Sequence, residues 1–375
     1  MQINRLIQAT LVAAILIGCT SGKPDSETPD EAKKKPLNII FLVGDGMGLS
    51  QMSSAYFFGE KEPNFSRFPV IGLSKTASGS HKITDSAAGA TAFSCGLKTY
   101  NGAIGVDMDT NTVKTILEEL SEVGWNTGLV STSSITHATP ASFFAHTASR
   151  GMQEEIARQL VYSDVDFFAG GGHQWFLNRT DSVNYADSLL AKGFVLDTTS
   201  IKTSWNGGDK KPVYLLAADG LTPKHEGRDD FLNEATDKAI QHLSSKEQSF
   251  FLMVEGSQID WGGHANNGEY IIQEVLDFDK AVGTALDFAQ EHGNTLVVVT
   301  ADHETGGFTM SGEKKIGAFK SVTNDYDKIA TTFSTGGHSC TMVPVLSFGV
   351  HSERLNGIFE NTEIHTVFRE ITELE

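Results

Sequence analysis

The chain has 375 residues, 39% of them hydrophobic, and a formal net charge of −18. This length can bury one large core, and the composition excludes a disordered or fibrous protein. The acidic excess argues against a nucleic-acid partner, because no basic face can dominate such a surface.

The first 36 residues differ in character from the rest of the chain. Arg5 precedes an apolar run that ends at Gly18, and this run is too short to span a membrane as a helix. Its end, Leu-Ile-Gly-Cys, resembles a bacterial lipobox and implies cleavage before Cys19 and acylation of that residue. We predict a lipoprotein signal peptide at 1–18 and a flexible, polar tether at 19–36. An ordinary signal peptide with an incidental cysteine is the alternative.

From residue 37 onward, short apolar runs alternate with amphipathic stretches. Six runs are predicted as buried strands: Asn38–Val43, Asn126–Val130, Asp166–Ala169, Phe250–Val254, Thr295–Thr300 and Val343–Phe348. The clearest helical pattern ends before Gly293. This alternation predicts an α/β fold, namely a doubly wound, mainly parallel sheet with helices on both faces, over residues 37–375. Two polar stretches, His173 to about Lys224 and Met310 to about Thr332, are predicted as irregular surface insertions.

Acidic, imidazole and hydroxyl side chains follow four of the predicted strands: Asp45, His137, Thr139, Glu255, Asp260, His264, Asp302 and His303. His338 lies in a glycine-rich loop before the last strand. Open α/β sheets bind ligands outside the carboxyl ends of their strands, so we expect these side chains at one edge. Carboxylates with imidazoles suit zinc, and threonine with carboxylates suits magnesium. One such residue alone is usually a helix cap or structural, but four clusters favour a metal site.

Ser86 is the candidate nucleophile. It opens a run of small residues that is predicted as a helix, which places its hydroxyl at a positive helix N-terminus. On this segment alone, a plain N-cap serine is the commoner interpretation. The case for catalysis therefore depends on the metal-ligand candidates elsewhere in the chain.

Five motifs together resemble the alkaline phosphatase family. They run in that family's order between residues 38 and about 349: Asp85-Ser86-Ala87-Ala88, Lys98-Thr99-Tyr100-Asn101-Gly102, His137-Ala138-Thr139-Pro140, Glu255 to His264, and Thr300-Ala301-Asp302-His303-Glu304. The chain is similar in length to compact, cold-active bacterial members. The resemblance implies a catalytic domain at 37–375 that hydrolyses small phosphate monoesters through a phosphoserine, with two Zn²⁺ ions and one Mg²⁺ ion.

The resemblance also implies a role for each candidate residue. The first zinc would be held by a carboxylate and two imidazoles: Asp260, His264 and His338. The second would be held by two carboxylates, an imidazole and the nucleophile: Asp45, Asp302, His303 and Ser86. The magnesium ligands would be two carboxylates and a hydroxyl: Asp45, Thr139 and Glu255. Arg150 would bind two phosphate oxygens, and His146 is expected in a helix leading to Arg150, without a ligand role.

Two positions near the implied metals vary within the family. His137 stands where some members have Asp, and Trp261 stands where some have Lys. This pair is similar to that of several cold-adapted enzymes, and the absence of a lysine near phosphate should loosen product binding. Only 9 of the 375 residues are proline, which also favours cold adaptation through loose loops.

Rival interpretations remain at this point. A sulfatase or phosphodiesterase of the same superfamily is disfavoured, because residues 86–90 lack the C/S-x-P-x-R pattern of sulfatases and diesterases usually lack an arginine placed like Arg150. A non-catalytic, metal-dependent binding lipoprotein is disfavoured by the combination of ligands and nucleophile. Cys95 and Cys340 could form a disulfide or stay free. Family members are commonly homodimers, so a homodimer is expected without a legible interface, and the membrane is contacted only through the lipid anchor.

Overall fold

The computed structural model describes residues 36–202, 210–317, 319 and 321–374. Cys19, the predicted signal peptide and all of the tether except Pro36 lie outside this part of the chain. Among the described residues, no helix combines the length and the apolar character that crossing a membrane requires.

The described residues form fourteen strands and eleven α-helices. The strands are β1 (Asn38–Gly44), β2 (Val70–Lys75), β3 (Asn126–Ser134), β4 (Phe167–Gly171), β5 (Phe194–Asp197), β6 (Lys211–Leu215), β7 (Phe250–Gly256), β8 (Thr295–Thr300), β9 (Glu304–Thr305), β10 (Thr309–Ile316), β11 (Val322–Thr332), β12 (His338–Ser339), β13 (Val343–Gly349) and β14 (Gly357–Glu360). The helices are α1 (Leu49–Phe58), α2 (Ser86–Cys95), α3 (Ile116–Glu122), α4 (Ala138–Ala141), α5 (Gln153–Tyr162), α6 (Gln174–Leu177), α7 (Ala186–Ala191), α8 (Phe231–Ser244), α9 (Gln258–His264), α10 (Gly268–His292) and α11 (Thr362–Ile371).

Ten of the strands form one sheet, in the order β14-β2-β13-β8-β1-β7-β3-β4-β6-β5. The strands from β8 to β5 are parallel to their neighbours, whereas β13 runs antiparallel to both β8 and β2. All six predicted strands are present, as β1, β3, β4, β7, β8 and β13. The prediction of a doubly wound, mainly parallel α/β sheet is therefore confirmed.

The central strand β1 explains why both faces of the sheet are covered. Its residues are buried along its whole length, and successive side chains point to opposite faces. Phe41 belongs to the apolar cluster on one face, where its ring lies 5.4 Å from that of Phe93 in α2 and 5.3 Å from that of Phe368 in α11. Leu42 belongs to the cluster on the other face, together with residues of α8 and α10 such as Phe278.

The two predicted insertions differ from expectation. The stretch from His173 to Lys224 contains β5 and β6, which pair with each other and extend the edge of the sheet beyond β4, so its prediction as irregular is wrong for these strands. The stretch from Met310 to Thr332 lies at the surface as predicted, but it is regular, because it forms most of the antiparallel pair β10–β11.

Candidate active site

The carboxyl ends of neighbouring parallel strands bring the candidate residues together. In the register of the sheet, Gly44 at the end of β1 pairs with Gly256 of β7, and Val43 pairs with Thr300 of β8. The three strands thus end at nearly the same level, and the chain leaves them toward one edge. The main-chain N–H of Gly46 donates to Oδ1 of Asp302 at 3.2 Å, which joins the segments that follow β1 and β8.

Eight of the predicted residues form three groups of ligating atoms at this edge. Within each group the atoms lie within 4.8 Å of one another: Asp260, His264 and His338; Asp45, Asp302 and His303; and Asp45, His137 and Glu255. Asp45 belongs to two groups, so these two groups are adjacent. Thr139, at the start of α4, lies beside Glu255. The structure therefore brings every predicted metal ligand to one site.

The three imidazoles of the first two groups are oriented through Nδ1. His264 and His338 each direct Nδ1 to a main-chain carbonyl oxygen at 2.8 Å, and His303 Nδ1 lies 3.1 Å from the hydroxyl of Thr305. A carbonyl oxygen only accepts, so Nδ1 of His264 and His338 carries a proton, which leaves Nε2 as the nitrogen available to a metal ion. Each Nε2 faces a carboxylate of its own group, as in the 3.4 Å separation from His264 Nε2 to Asp260 Oδ2. Imidazole nitrogens and carboxylate oxygens thus converge on common points.

Several buried oxygen atoms at this edge have no hydrogen-bond partner among the described residues: both carboxylate oxygens of Asp45, Oδ2 of Asp302, Oε1 of Glu255 and Oγ1 of Thr139. The other oxygen of Glu255 is fixed by the hydroxyls of Ser131 at 2.6 Å and Ser257 at 2.7 Å. Buried polar atoms normally find partners, so a set of unpaired acceptors beside one another indicates a place for cations. The donor set fits divalent metal ions.

The electrostatics of the isolated chain support the same conclusion. Burial raises the pKa of Asp45 well above its usual range, and the neighbouring charges of Asp302 and Asp260 raise that pKa further. Burial also raises the pKa of Glu255 and of Asp302, and it lowers the pKa of His303 to about 3. Clustered, buried carboxylates disfavour their charged forms unless cations lie among them.

Ser86 lies beside the second group of ligating atoms. Its side chain is buried, and its Oγ lies 3.3 Å from Nε2 of His303. The residue that caps α2 is Asp85, which accepts from the main-chain N–H of Ala88, so the plain N-cap interpretation of Ser86 is wrong. Ser86 is instead the first residue of α2, with its hydroxyl at the positive end of a helix of 10 residues.

Arg150 is held beside Ser86 by contacts that the sequence did not reveal. Its Nη1 donates to Oδ2 of Asp85 at 3.0 Å, and its Nη2 lies 3.3 Å from Nε2 of His137. Burial alone would raise the pKa of Asp85, but the N–H of Ala88 and the charge of Arg150 hold that pKa below its usual range. Asp85 thus both caps α2 and orients the guanidinium. The only sequence signal was its position directly before the serine.

His146 is not in a helix, which corrects our expectation. It lies in the segment between α4 and α5, where its Nδ1 is 2.7 Å from the carbonyl oxygen of Gly105 and its Nε2 is 3.0 Å from Oε1 of Glu118. It belongs to none of the groups of ligating atoms found among the described residues. After α4 the chain continues in tight turns, in which the N–H groups of Phe143 and Phe144 donate to the carbonyl oxygens of Pro140 and Ala141, so the helical pattern does not reach His146.

Trp261 and His137 lie together at the rim of the site. Their rings meet edge to face with centroids 6.2 Å apart. Trp261 belongs to α9, between the ligand candidates Asp260 and His264. Gly220 leaves room for the indole, since a Cβ at that position would overlap it. The indole of Trp261 therefore occupies a position beside the site where a lysine side chain would place a positive charge.

Thr305 is a further residue that sequence reasoning missed. Its hydroxyl donates to Oδ1 of Asp260 at 2.5 Å and lies 3.1 Å from Nδ1 of His303. It therefore connects a candidate ligand of the first zinc to a candidate ligand of the second. Its only signal was proximity to the Asp302-His303 pair, because the contact with Asp260 spans 45 positions in the chain.

A serine at a helix N-terminus, an arginine and grouped carboxylates and imidazoles at the carboxyl edge of a parallel sheet define a class of protein: metal-dependent hydrolases of phosphate esters. The model of one family, described as alkaline phosphatase, matches residues 36–332. The chain belongs to the alkaline phosphatase family, and it hydrolyses phosphate monoesters.

Individual relatives agree with this assignment. The chain is 32% identical over 443 residues to alkaline phosphatase 3 of Bacillus subtilis (strain 168), covering 96% of this chain and 95% of that protein. The structure of alkaline phosphatase from the Antarctic bacterium TAB5 is 51% identical with a TM-score of 0.88, covering 91% of this chain and 99% of that one. A histidine-to-aspartate mutant of the TAB5 enzyme, 50% identical with a TM-score of 0.89 and the same coverage, has Mg bound in its M3 site.

Cys95 is buried and Cys340 is exposed, and both are free thiols. The alternative of a disulfide between them is thereby excluded.

Proposed function

We propose that this phosphatase acts through a phosphoserine at Ser86, with two zinc ions and one magnesium ion. The observation that carries the proposal is the convergence of three groups of ligating atoms at one edge of the sheet, with the buried hydroxyl of Ser86 3.3 Å from Nε2 of His303 in the second group. The first zinc would lie among one carboxylate and two imidazoles: Asp260, His264 and His338. The second would lie among Asp45, Asp302, His303 and Ser86, and magnesium among Asp45, Thr139 and Glu255.

The type of each donor supports this distribution. Imidazole Nε2 atoms with carboxylates occur in the first two groups, and this combination suits zinc. Asp45, Glu255 and Thr139 offer only oxygen, which suits magnesium. His137 lies close enough to join this third group, but its Nε2 faces Arg150, so we propose that it acts as a neighbour of the magnesium ligands.

The chain's own residues then account for the reaction. When bound, the metal ions supply Lewis-acid stabilisation and lower the pKa of nearby hydroxyl groups. Ser86 Oγ attacks phosphorus in line with the ester oxygen, the alcohol leaves, and phosphate remains on Ser86 until water attacks phosphorus and frees the hydroxyl. Arg150 offers a planar fork for two phosphate oxygens, and the hydrogen bond to Asp85, the residue before Ser86, fixes the position of that fork.

Metal analysis of the purified protein tests this proposal. We expect about two zinc ions and one magnesium ion per chain, and loss of nearly all monoester hydrolysis after chelation. Zinc with magnesium should restore activity, whereas magnesium alone should not. Fully active enzyme without zinc would overturn the proposed metal set while leaving the family assignment intact. Comparing rates on the phosphate monoester, phosphate diester and sulfate ester of one phenol would check the substrate class.

Trp261→Lys is expected to tighten the binding of inorganic phosphate. A lysine on α9, directly after Asp260, would add a positive charge beside the site where the indole now lies. We expect the inhibition constant of phosphate to fall about tenfold, which corresponds to about 1.4 kcal/mol, and kcat to fall as product leaves more slowly. Trp261→Met removes the ring without adding charge and is the matched control. Equal phosphate inhibition in both variants would contradict the role of charge at this position.

Export, acylation at Cys19 and the homodimer stay predictions. The signal peptide and the acylation site belong to residues 1–35, outside the described part of the chain. We propose a periplasmic or cell-surface lipoprotein that meets the membrane only through this anchor and acts on small phosphate monoesters. A catalytic domain tethered in this way would reach esters outside the cytoplasm.

A further inference from the structure

Glu304 is a buried carboxylate that the mechanism above does not use. It directly follows Asp302 and His303 and is only 5% exposed. It belongs to none of the groups of ligating atoms in the described part of the chain. Unlike the carboxylates of those groups, it has hydrogen-bond donors at both of its oxygens. Glu304 therefore has a different role from the carboxylates of the ligand groups.

The donors to Glu304 come from three separate segments. Gln51 Nε2 in α1 donates to Oε1 at 2.7 Å, and the main-chain N–H of Phe308 donates to the same oxygen at 3.0 Å. The hydroxyl of Ser339 donates to Oε2. Gln51 is fully buried, and its amide also donates to the carbonyl oxygen of Thr305 at 2.8 Å. One carboxylate thus joins α1, the segment after β9 and the segment around β12.

Each of these segments is continuous with a candidate metal ligand. The turn that carries Asp45 leads into α1, and the main-chain N–H of Thr305 donates to the carbonyl oxygen of Gly46 in that turn at 3.1 Å. Ser339 directly follows His338, and it lies opposite Glu304 in the antiparallel pair of β9 and β12. These two strands have only 2 residues each, so main-chain pairing alone gives them little stability.

The backbone around Glu304 is adapted to its side chain. A Cβ on Gly48, the residue before α1, would overlap Cγ of Glu304. Gly48 has an extended backbone conformation that any residue could adopt, so the close approach of the side chain, and not the conformation, requires a glycine here. The start of α1 therefore packs directly on the Glu304 side chain.

We propose that Glu304 is a positioning residue that holds the segments carrying Asp45, His303 and His338 at the spacing that the two zinc ions require. The inference rests on the proposed function, because it assumes that these segments bind zinc. Residues that orient metal ligands without touching the metal typically change metal affinity 10- to 100-fold when they are replaced. A loss of the hydrogen bonds at Glu304 would let the three segments separate, and zinc would leave faster.

The test measures zinc release from the zinc-loaded enzyme to an excess of a coloured chelator, at a temperature well below unfolding. We expect Glu304→Ala to release zinc about tenfold faster than the wild type or more. Glu304→Gln keeps one oxygen for Gln51 and Phe308 and an amide beside Ser339, whose hydroxyl can turn to accept. It should therefore release zinc within about threefold of the wild-type rate.

Asp279 in α10 provides a matched control. It is 8% exposed, and it accepts from the main-chain N–H groups of Asn64 at 3.0 Å and Phe65 at 3.1 Å, in a part of the structure that carries no candidate ligand. Asp279→Ala should destabilise the fold without changing zinc release. Equal release rates in Glu304→Ala and Asp279→Ala would overturn the inference and reduce Glu304 to a general structural role.

A second variant covers the case in which Glu304→Ala does not fold. Ser339→Ala removes the donor to Oε2, together with the contacts of the same hydroxyl with Thr341, and should still accelerate zinc release at least about twofold. An unchanged rate in this variant would also overturn the inference. A wild-type protein that takes up no zinc would instead overturn the proposed function, so the two failures are distinguishable.

Discussion

Ser86→Ala is expected to lower kcat for a phosphate monoester by about 10⁴-fold or more, because the variant lacks the only nucleophile that the mechanism uses. Zinc content should be nearly unchanged, since Asp45, Asp302 and His303 remain as the proposed ligands of the second zinc. The measurement combines initial rates on 4-nitrophenyl phosphate with metal analysis of the same sample. Acid quenching during turnover should trap phosphate on a peptide containing Ser86 in the wild type and on no peptide in the variant.

A second serine of the same helix serves as the control. Ser94 is buried in α2, and its hydroxyl donates to the carbonyl oxygen of Ser142 at 2.5 Å, away from the ligand groups. Ser94→Ala should cost stability through the lost hydrogen bond and change kcat less than about threefold. The nucleophile assignment fails if Ser86→Ala keeps more than a tenth of the activity, or if phosphate is trapped on another residue.

Much of the fold could be predicted from local pattern. Strand β1 is an apolar run buried on both faces, and this pattern marks a central strand of a parallel sheet whatever lies around it. Strands β5 and β6 were missed because they are only 4 and 5 residues long and lie inside a polar stretch, where β5 forms the edge of the sheet and β6 joins it to β4. Short edge strands carry too few alternating residues for the pattern to be recognised.

All candidate ligands except His338 could be predicted because they follow a strand, and the carboxyl ends of parallel strands meet. The residues that orient them could not be predicted in this way. Glu304 is joined to Gln51 across 253 positions and Arg150 to Asp85 across 65. Such contacts depend on the final packing of loops, and nothing in a single sequence pairs these side chains. His146 was misplaced for a related reason, since α4 ends after 4 residues.

Asp45→Asn is expected to make the metal-free protein more stable at about pH 8, although it should impair zinc and magnesium binding. Asp45 is fully buried, neither of its oxygens has a partner among the described residues, and burial with the charges of Asp302 and Asp260 raises its pKa. Replacing this carboxylate with a neutral amide removes a repulsive charge. We expect the free energy of unfolding to rise by more than about 1 kcal/mol, measured by urea denaturation after exhaustive chelation.

The raised pKa of Asp45 determines how the stability difference between Asp45→Asn and the wild type changes with pH. The folded state holds a proton on Asp45 more tightly than the unfolded state, because burial raises the pKa of that carboxyl group. The stability contribution of Asp45 is therefore fully present below the ordinary carboxyl pKa and is lost as pH rises through the raised value. The advantage of Asp45→Asn should shrink on acidification. Destabilisation of the metal-free protein by this substitution at about pH 8 would contradict the electrostatic account of the site.

Asp85→Asn is a control within the same site, because it is expected to lower the stability of the metal-free protein, whereas Asp45→Asn is expected to raise it. The pKa of Asp85 is lowered in the fold, against the effect of its burial, by hydrogen bonds from Ala88 and Gly102 and by the charge of Arg150. Its contribution to stability is present above the ordinary carboxyl pKa and lost as pH falls, so Asp85→Asn should destabilise the metal-free protein at neutral pH.

Addition of zinc and magnesium should make the wild type more stable than Asp45→Asn, which reverses their order in the metal-free state. Ligands that bind only the folded state stabilise it, and the stabilisation increases with their affinity. Three neighbouring carboxylates that weaken the metal-free fold are thus the groups through which metal binding would stabilise it: Asp45, Glu255 and Asp302.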